Sequence, residues 1–157
     1  MKFIQAAHCF IDVLLQPGLT SVTVGSSFRD GRLGGRRYRA LRTFIHPNYL
    51  LNDTVLVNDV AVIRTFSEIE FNRRVQPIQL YQGSEILVGT HGIFTGWGFI
   101  EQGRFLPTFA DRLQKMNVTT ISREECYDKL SHHPRAQWIN EQNVCVLSLH
   151  GTSACGG

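Results

Sequence analysis

Two side chains able to move a proton stand well apart in this chain. His8, in Ala6-Ala7-His8-Cys9, carries an imidazole, which exchanges its proton near neutral pH and can act as a general base. Asp59, in Asn58-Asp59-Val60-Ala61-Val62-Ile63, stands at the mouth of an apolar run. A carboxylate there is partly buried and needs a donor, and an imidazole N–H is a suitable one. Taken singly, each has a plainer reading: His8 as a structural histidine, Asp59 as a turn or strand-capping residue. A third feature is Ser153-Ala154-Cys155-Gly156-Gly157, where the chain stops. Paired glycines let backbone amides approach a ligand closely, because their φ is unrestricted. The plainer reading there is a flexible terminus. His46-Pro47-Asn48-Tyr49 and Gly96-Trp97-Gly98 are turn chemistry on any reading. His132, His133 and Cys126 do not make a metal site, since adjacent histidines at a helix end are not a ligand set. No metal and no cofactor is expected.

The elements that must hold these residues are short strands separated by turns. "SVTVGS" (21–26) alternates Val22 and Val24 with polar neighbours, and "LRTFIHP" runs β-rich up to Pro47. "DVAVIRTF" (59–66) has a buried-strand pattern, alternating Val60, Val62 and Arg64. "GTHGIFTGWGFI" (89–100) is aromatic and punctuated by glycine, "RLQKMNVTTIS" (112–122) alternates imperfectly, and "NVCVLSL" (143–149) is a further strand. Many short strands at such spacing predict an all-β barrel or sandwich. One helix is expected over "REECYDKL" (123–130). Ser122 and Glu125 form an S-x-x-E capping box, and His132, His133 and Pro134 end it. Patterning weakens over residues 71–86, the expected connection between two β units.

Composition narrows the function classes. At 157 residues the chain is one domain or part of a larger one, and a 43% apolar content allows a sizeable core. Only 18% of residues are charged, which argues against disorder. Arg29, Arg32, Arg36, Arg37, Arg39 and Arg42 cluster, but the net charge is +3 and no nucleic-acid motif accompanies them. They read as a solvated basic loop, and no nucleic-acid partner is expected. No apolar run approaches a membrane span, so no membrane partner is expected either. The start is too short and too interrupted for a signal peptide. The four cysteines, Cys9, Cys126, Cys145 and Cys155, lack CxxC spacing. An even count in a loop-rich chain suggests disulfides and an oxidising compartment. Asn52-Asp53-Thr54 and Asn117-Val118-Thr119 are candidate glycosylation triplets.

Each of these signals is weak alone, but their order and spacing are specific. Ala6-Ala7-His8-Cys9, His46-Pro47-Asn48-Tyr49, Asn58 to Ile63, Gly96-Trp97-Gly98 and Ala154-Cys155-Gly156-Gly157 together resemble the chymotrypsin/trypsin family of serine endopeptidases, over nearly the whole chain. The resemblance implies a trypsin-like double antiparallel β-barrel, secretion, polypeptide substrates and protein protease inhibitors as partners. Residues 1–157 are then a partial peptidase domain: 1–70 the remainder of the first barrel, 71–86 the connection, 87–157 the first part of the second.

The resemblance also implies roles. His8 is the general base and Asp59 its orienter, with Asp53 the nearest rival to Asp59 but outside the motif. Gly157 supplies an amide to the oxyanion hole, next to Gly156 at the substrate. Ser153 lies at the base of the primary specificity pocket. Being neutral, it disfavours a tryptic preference and suits an apolar or aromatic side chain, as in chymotrypsin. Cys126 and Cys145 match a family disulfide, whereas Cys9 and Cys155 match cysteines whose partners are not in these residues and are expected unpaired; pairing with each other is the alternative.

The departures from the family matter as much. Its nucleophile lies in Gly-Asp-Ser-Gly-Gly, and this sequence stops two residues before that serine. The first strands of one barrel and the last of the other are also not in it. The expectation is therefore a fragment, truncated at both ends and by itself unable to hydrolyse peptides by the triad mechanism. Its open sheet edges make it prone to aggregate. The alternative is a non-catalytic protease homologue, a binding or regulatory module in a proteolytic cascade, in which the serine is replaced.

Overall fold

The computed structural model describes residues 2–10, 20–83, 85, 87–98 and 108–148. Its chain-order elements are β1 (Lys2–Gln5), β2 (Ser21–Val24), β3 (Arg36–Ile45), β4 (Leu50–Leu51), β5 (Leu56–Val57) and β6 (Ala61–Thr65). They continue with β7 (His91–Gly96), β8 (Gln114–Thr120), α1 (Arg123–Leu130) and β9 (Val146–Ser148). Short 3₁₀ turns cover Ala7–Phe10 and Ala136–Trp138. The architecture among the described residues is antiparallel β with one short helix, as the strand pattern predicts.

Four strands form one sheet in the order β1-β6-β3-β2, and three form another in the order β7-β8-β9. A small hairpin, β4-β5, stands between β3 and β6 in sequence. Central strand β6 turns Ala61, Ile63 and Thr65 inward and leaves Arg64 exposed. The inward set thus alternates with Val60, Val62 and Arg64 along the strand, and Val60 itself is exposed. Period-two alternation marks this strand correctly, but it does not say which face is buried when both carry apolar residues.

Strand β3 explains why only its second half reads as a strand. Tyr38 and Ala40 face inward in its first half, Thr43 and Ile45 in its second. A register irregularity between Ala40 and Arg42 inserts Leu41 and swaps the parity of the inward face. Across the bulge, Ala40 still meets Thr65, Thr43 meets Ile63 and Ile45 meets Ala61, so the core face is continuous. Arg36, Arg37, Arg39 and Arg42 therefore lie on a strand, not in a solvated loop. Their long side chains stay outside while the alternating small and aromatic residues go in. Arg36 pairs with Glu70 and stacks over Tyr38, and Arg42 lies 4.9 Å over the Phe44 ring. In the preceding loop, Arg32 bonds both Asp30 and Asp111, which holds the guanidinium positively charged and keeps the Asp30 carboxyl below its usual range.

The core of the first sheet is Ala7, Phe10, Ala61 and Ile63, packed by Phe3, Val22, Ala40, Ile45 and Tyr49. Burying a side chain the size of Ile63 contributes about 1.5–3 kcal/mol. In the second sheet, β8 is central, and Val118 and Thr120 are buried between Gly92 and Ser148 and between Thr90 and Val146. Helix α1 begins as the capping box requires: the Ser122 hydroxyl accepts the Glu125 N–H at 3.0 Å. The carboxylate half of the box is used differently, with Glu125 facing Lys129 at 3.5 Å, one turn on. From within the helix, the Cys126–Cys145 disulfide ties it to the approach of β9.

Candidate active site

The register of the first sheet brings His8 and Asp59 together. Gln5, the last residue of β1, lies opposite Ala61, the first residue of β6. Because the pair is antiparallel, the chain leaving β1 and the chain entering β6 are at the same end of the sheet. His8 stands three residues past Gln5, and Asp59 two residues before Ala61. Ile45 of β3 also lies opposite Ala61, so the His46-Pro47-Asn48-Tyr49 turn gathers at this end too. There the His46 N–H donates to the Val60 carbonyl at 3.0 Å. A 51-residue separation in sequence thus closes to contact.

The contact is a two-point grip. His8 Nδ1 lies 2.7 Å from Asp59 Oδ2, and the His8 backbone N–H donates to Asp59 Oδ1 at 2.8 Å. A carboxylate only accepts, so the ring proton sits on Nδ1. Nε2 then carries the lone pair and is the nitrogen that can take a proton. Beneath the ring, Ala7 is fully buried against Ala61 in the core cluster. A larger residue at either position would push the 3₁₀ turn, and His8 with it, off the sheet.

Asp59 is approached through an unusual residue. Asn58 has φ 54, in the left-handed region that asparagine tolerates better than most side chains. Its Nδ2 donates to the Asn48 carbonyl at 2.8 Å, tying the Asp59 approach to the histidine turn. Tyr49 completes the surroundings. Burial pushes its hydroxyl up from its ordinary pKa, with the Asp59 carboxylate and Cys9 adding to the effect. Among the described residues its buried oxygen has no hydrogen-bond partner. In the sequence Asn58 and Tyr49 read as motif spacing and turn only; an Asn directly before the candidate Asp is the available signal for a left-handed approach.

The other expected residues distribute as follows. Cys9 is exposed and has no disulfide partner among the described residues. Cys126 and Cys145 are bonded to each other. Asn52 is exposed in the β4-β5 turn, where its side-chain oxygen accepts from Thr54 and Val55. Asn117 lies within β8, opposite Ile93. Asp53, the rival carboxylate, sits at that same turn and not at His8. Gly96-Trp97-Gly98 ends β7 and is not a turn; Trp97, just past the strand, donates its indole N–H to the Ser27 carbonyl at 3.0 Å, joining the second sheet to the loop after β2. The expectations for Ser153, Cys155, Gly156 and Gly157 lie outside the described residues. Among the described residues no group of three or more His, Cys, Asp or Glu is disposed to hold a metal ion.

Comparison with known proteins bears on the whole chain. A family model described as Trypsin matches residues 2–157. Alkaline trypsin B of Manduca sexta is 31% identical over 140 residues, covering 87% of this chain and 51% of its own length. Chymotrypsin-2 of Vespa crabro is 28% identical over 121 residues, covering 76% of this chain and 50% of its own. The chain therefore spans about half the length of these two relatives. Among solved structures, neuropsin, a serine protease expressed in the limbic system of mouse brain, superposes with a TM-score of 0.79 at 24% identity, covering 99% of this chain and 64% of the other. The scabies mite inactivated protease paralogue S-D1 superposes with a TM-score of 0.77 at 22% identity, covering 94% and 60%. The fold these structures share is the trypsin-like β-barrel fold expected from the sequence.

Proposed function

Because the chain belongs to the trypsin family, we propose that the protein it represents is a serine endopeptidase that cleaves peptide bonds by acyl transfer. The observation that carries this reading is the His8 Nδ1 to Asp59 Oδ2 contact at 2.7 Å, made between the two family motifs that supply a base and its orienter. The attacking hydroxyl is that of a serine two positions past Gly157. His8 Nε2 takes the hydroxyl proton as the oxygen adds to the scissile carbonyl, then gives it to the departing amine. A water repeats the sequence on the acyl-enzyme, with the proton again passing through Nε2. Asp59 keeps the ring in the correct tautomer and stabilises the imidazolium. The Gly157 amide donates to the oxyanion, and Gly156 and Ser153 line the substrate side.

Specificity in this reading is chymotrypsin-like. It rests on Ser153, a neutral residue at the pocket base that offers no charge to an Arg or Lys side chain. The relatives do not decide this, since they include a chymotrypsin and trypsins. Substrates are polypeptides, and protein protease inhibitors are the natural antagonists. The Cys126–Cys145 disulfide supports an oxidising, secreted setting. Residues 1–70 belong to a first barrel and 87–157 to a second, joined by 71–86. Asn52 and Asn117 remain candidate glycan acceptors, and Cys9 and Cys155 each lack their family partner within these residues.

A second reading, a non-catalytic homologue serving as a binding module, is kept in view by one observation. The shared fold also belongs to a protein described as an inactivated protease paralogue, so fold alone does not carry activity. The intact His8–Asp59 pair favours the enzyme. The full-length protein should be labelled by a serine-directed fluorophosphonate probe, and His8→Ala should abolish the label. Labelling that persists in His8→Ala, or a residue other than serine two positions past Gly157, overturns the enzymatic reading.

A further inference from the structure

We infer that Gln142 is a positioning residue for Asp59, acting across 84 residues of sequence through Asn58. The inference rests on the role proposed above for Asp59. The Gln142 side chain meets Asn58 at two points: its Oε1 accepts the Asn58 backbone N–H at 2.6 Å, and its Nε2 donates to Asn58 Oδ1 at 3.2 Å. The carboxamide of Asn58 is also held from its own side by the Asn48 carbonyl. Its backbone N–H is held by Gln142. That N–H matters because Asn58 has a positive φ, the conformation that aims the next residue, Asp59, at His8. A residue in this region persists only when its surroundings over-determine it.

Gln142 is itself part of a built loop. Its N–H donates to Asn140 Oδ1 at 2.9 Å, and the Asn140 N–H donates to Asn143 Oδ1 at 2.7 Å. Asn140 Nδ2 reaches the Leu56 carbonyl at 2.9 Å, while Gln137 and Trp138 donate to the Asp53 carbonyl. Side chains of residues 137–142 thus clasp the β4-β5 hairpin at Asp53, Leu56 and Asn58, the stretch that delivers Asp59. The far end of the clasp is closed by Cys126–Cys145. An element of the second β unit in this way sets the geometry of a pair that belongs wholly to the first.

The test uses the full-length protein with two variants, Gln142→Ala and Gln142→Glu. Alanine removes both contacts; glutamate keeps an oxygen for the Asn58 N–H but sets its second oxygen, an acceptor, against Asn58 Oδ1. Two readouts are taken: the far-downfield proton resonance of His8 Nδ1–H, and kcat and KM on a peptide amide substrate. Gln142→Ala should broaden or erase the resonance and lower kcat about 10- to 100-fold, the scale of an ångström-level misplacement, with KM little changed. Gln142→Glu, which keeps only the contact to the Asn58 N–H, should recover part of both. Retention of the resonance and of kcat in Gln142→Ala overturns the inference, as does failure of Gln142→Glu to recover either while remaining folded. If the wild type gives the resonance but neither turnover nor labelling, the endopeptidase reading fails by itself, and the resonance alone then decides the role of Gln142.

Discussion

Replacing Asp59 by asparagine separates orientation from shape, since the two side chains are isosteric. Asp59 accepts twice from His8, at 2.7 Å from Nδ1 and at 2.8 Å from the backbone N–H. A carboxamide has one accepting oxygen and an NH₂ that only donates. With its oxygen on the backbone N–H, the NH₂ faces Nδ1, and the ring responds by moving its proton to Nε2. With the oxygen on Nδ1, the NH₂ faces a backbone N–H, and two donors meet. The first arrangement keeps both contacts but without the carboxylate charge, and the second loses one of them. A hydrogen bond to a charged group contributes about 1.5–3 kcal/mol, and screening reduces this for side chains 45% and 21% exposed, to about 1 kcal/mol. The fold therefore survives. The tautomer change is far costlier to catalysis, because it puts a proton on the nitrogen that must accept one. The equivalent change in the reference Ser-His-Asp triad lowers kcat by about 10⁴, which corresponds to about 5.5 kcal/mol of barrier. The assay is turnover of a peptide amide by full-length Asp59→Asn, beside a thermal melt. An unchanged melt with kcat within tenfold of wild type refutes the assigned role of Asp59. A collapsed melt refutes the stability arithmetic.

Three smaller changes probe the frame around the site. Tyr49→Phe removes a buried hydroxyl that has no partner among the described residues, so it should leave stability unchanged or raise it by about 1 kcal/mol; a clear loss in a denaturant titration means that the oxygen is bonded. Ser122→Ala deletes the hydroxyl that caps α1 and should destabilise the protein by about 1 kcal/mol, with Ser122→Gly costing less; equal losses in the two melts contradict the cap. Cys126→Ser with Cys145→Ser opens a loop spanning 19 positions and should cost about 3 kcal/mol, read as a lower denaturation midpoint in the absence of reductant; a midpoint that does not move shows that the bridge does not constrain the unfolded chain.

How much of this was legible beforehand varies by element. Helix α1 was read to its ends, because Ser122 and Glu125 mark a start that depends on neighbours four residues apart at most. Strand β2 was equally plain, with Val22 and Val24 facing in. The inward face of β6 and the true start of β3 were not, because each depends on partners across the sheet. The Leu41 bulge reverses the parity of β3 midway, and no period survives such an insertion. Strand β1 and the β4-β5 hairpin leave no signal in the sequence, since two to four residues carry too little pattern to separate them from loops. The arginines of β3 read as a loop because charge dominates their composition, whereas Tyr38 and Ala40 decide where the strand goes.

The residue types and motif order of this sequence by themselves determine its family and its β character, and they single out His8 and Asp59 as the imidazole and carboxylate of the family motifs, since these rest on side-chain chemistry and local spacing. What they do not determine is that the two side chains touch. That follows from Gln5 and Ala61 standing opposite each other in an antiparallel pair, from the positive φ at Asn58, and from Gln142 reaching it across 84 residues. Each is a long-range alignment within hydrogen-bond tolerance. Such distances are set by how sheets and loops pack against one another, and only the tertiary structure holds that information.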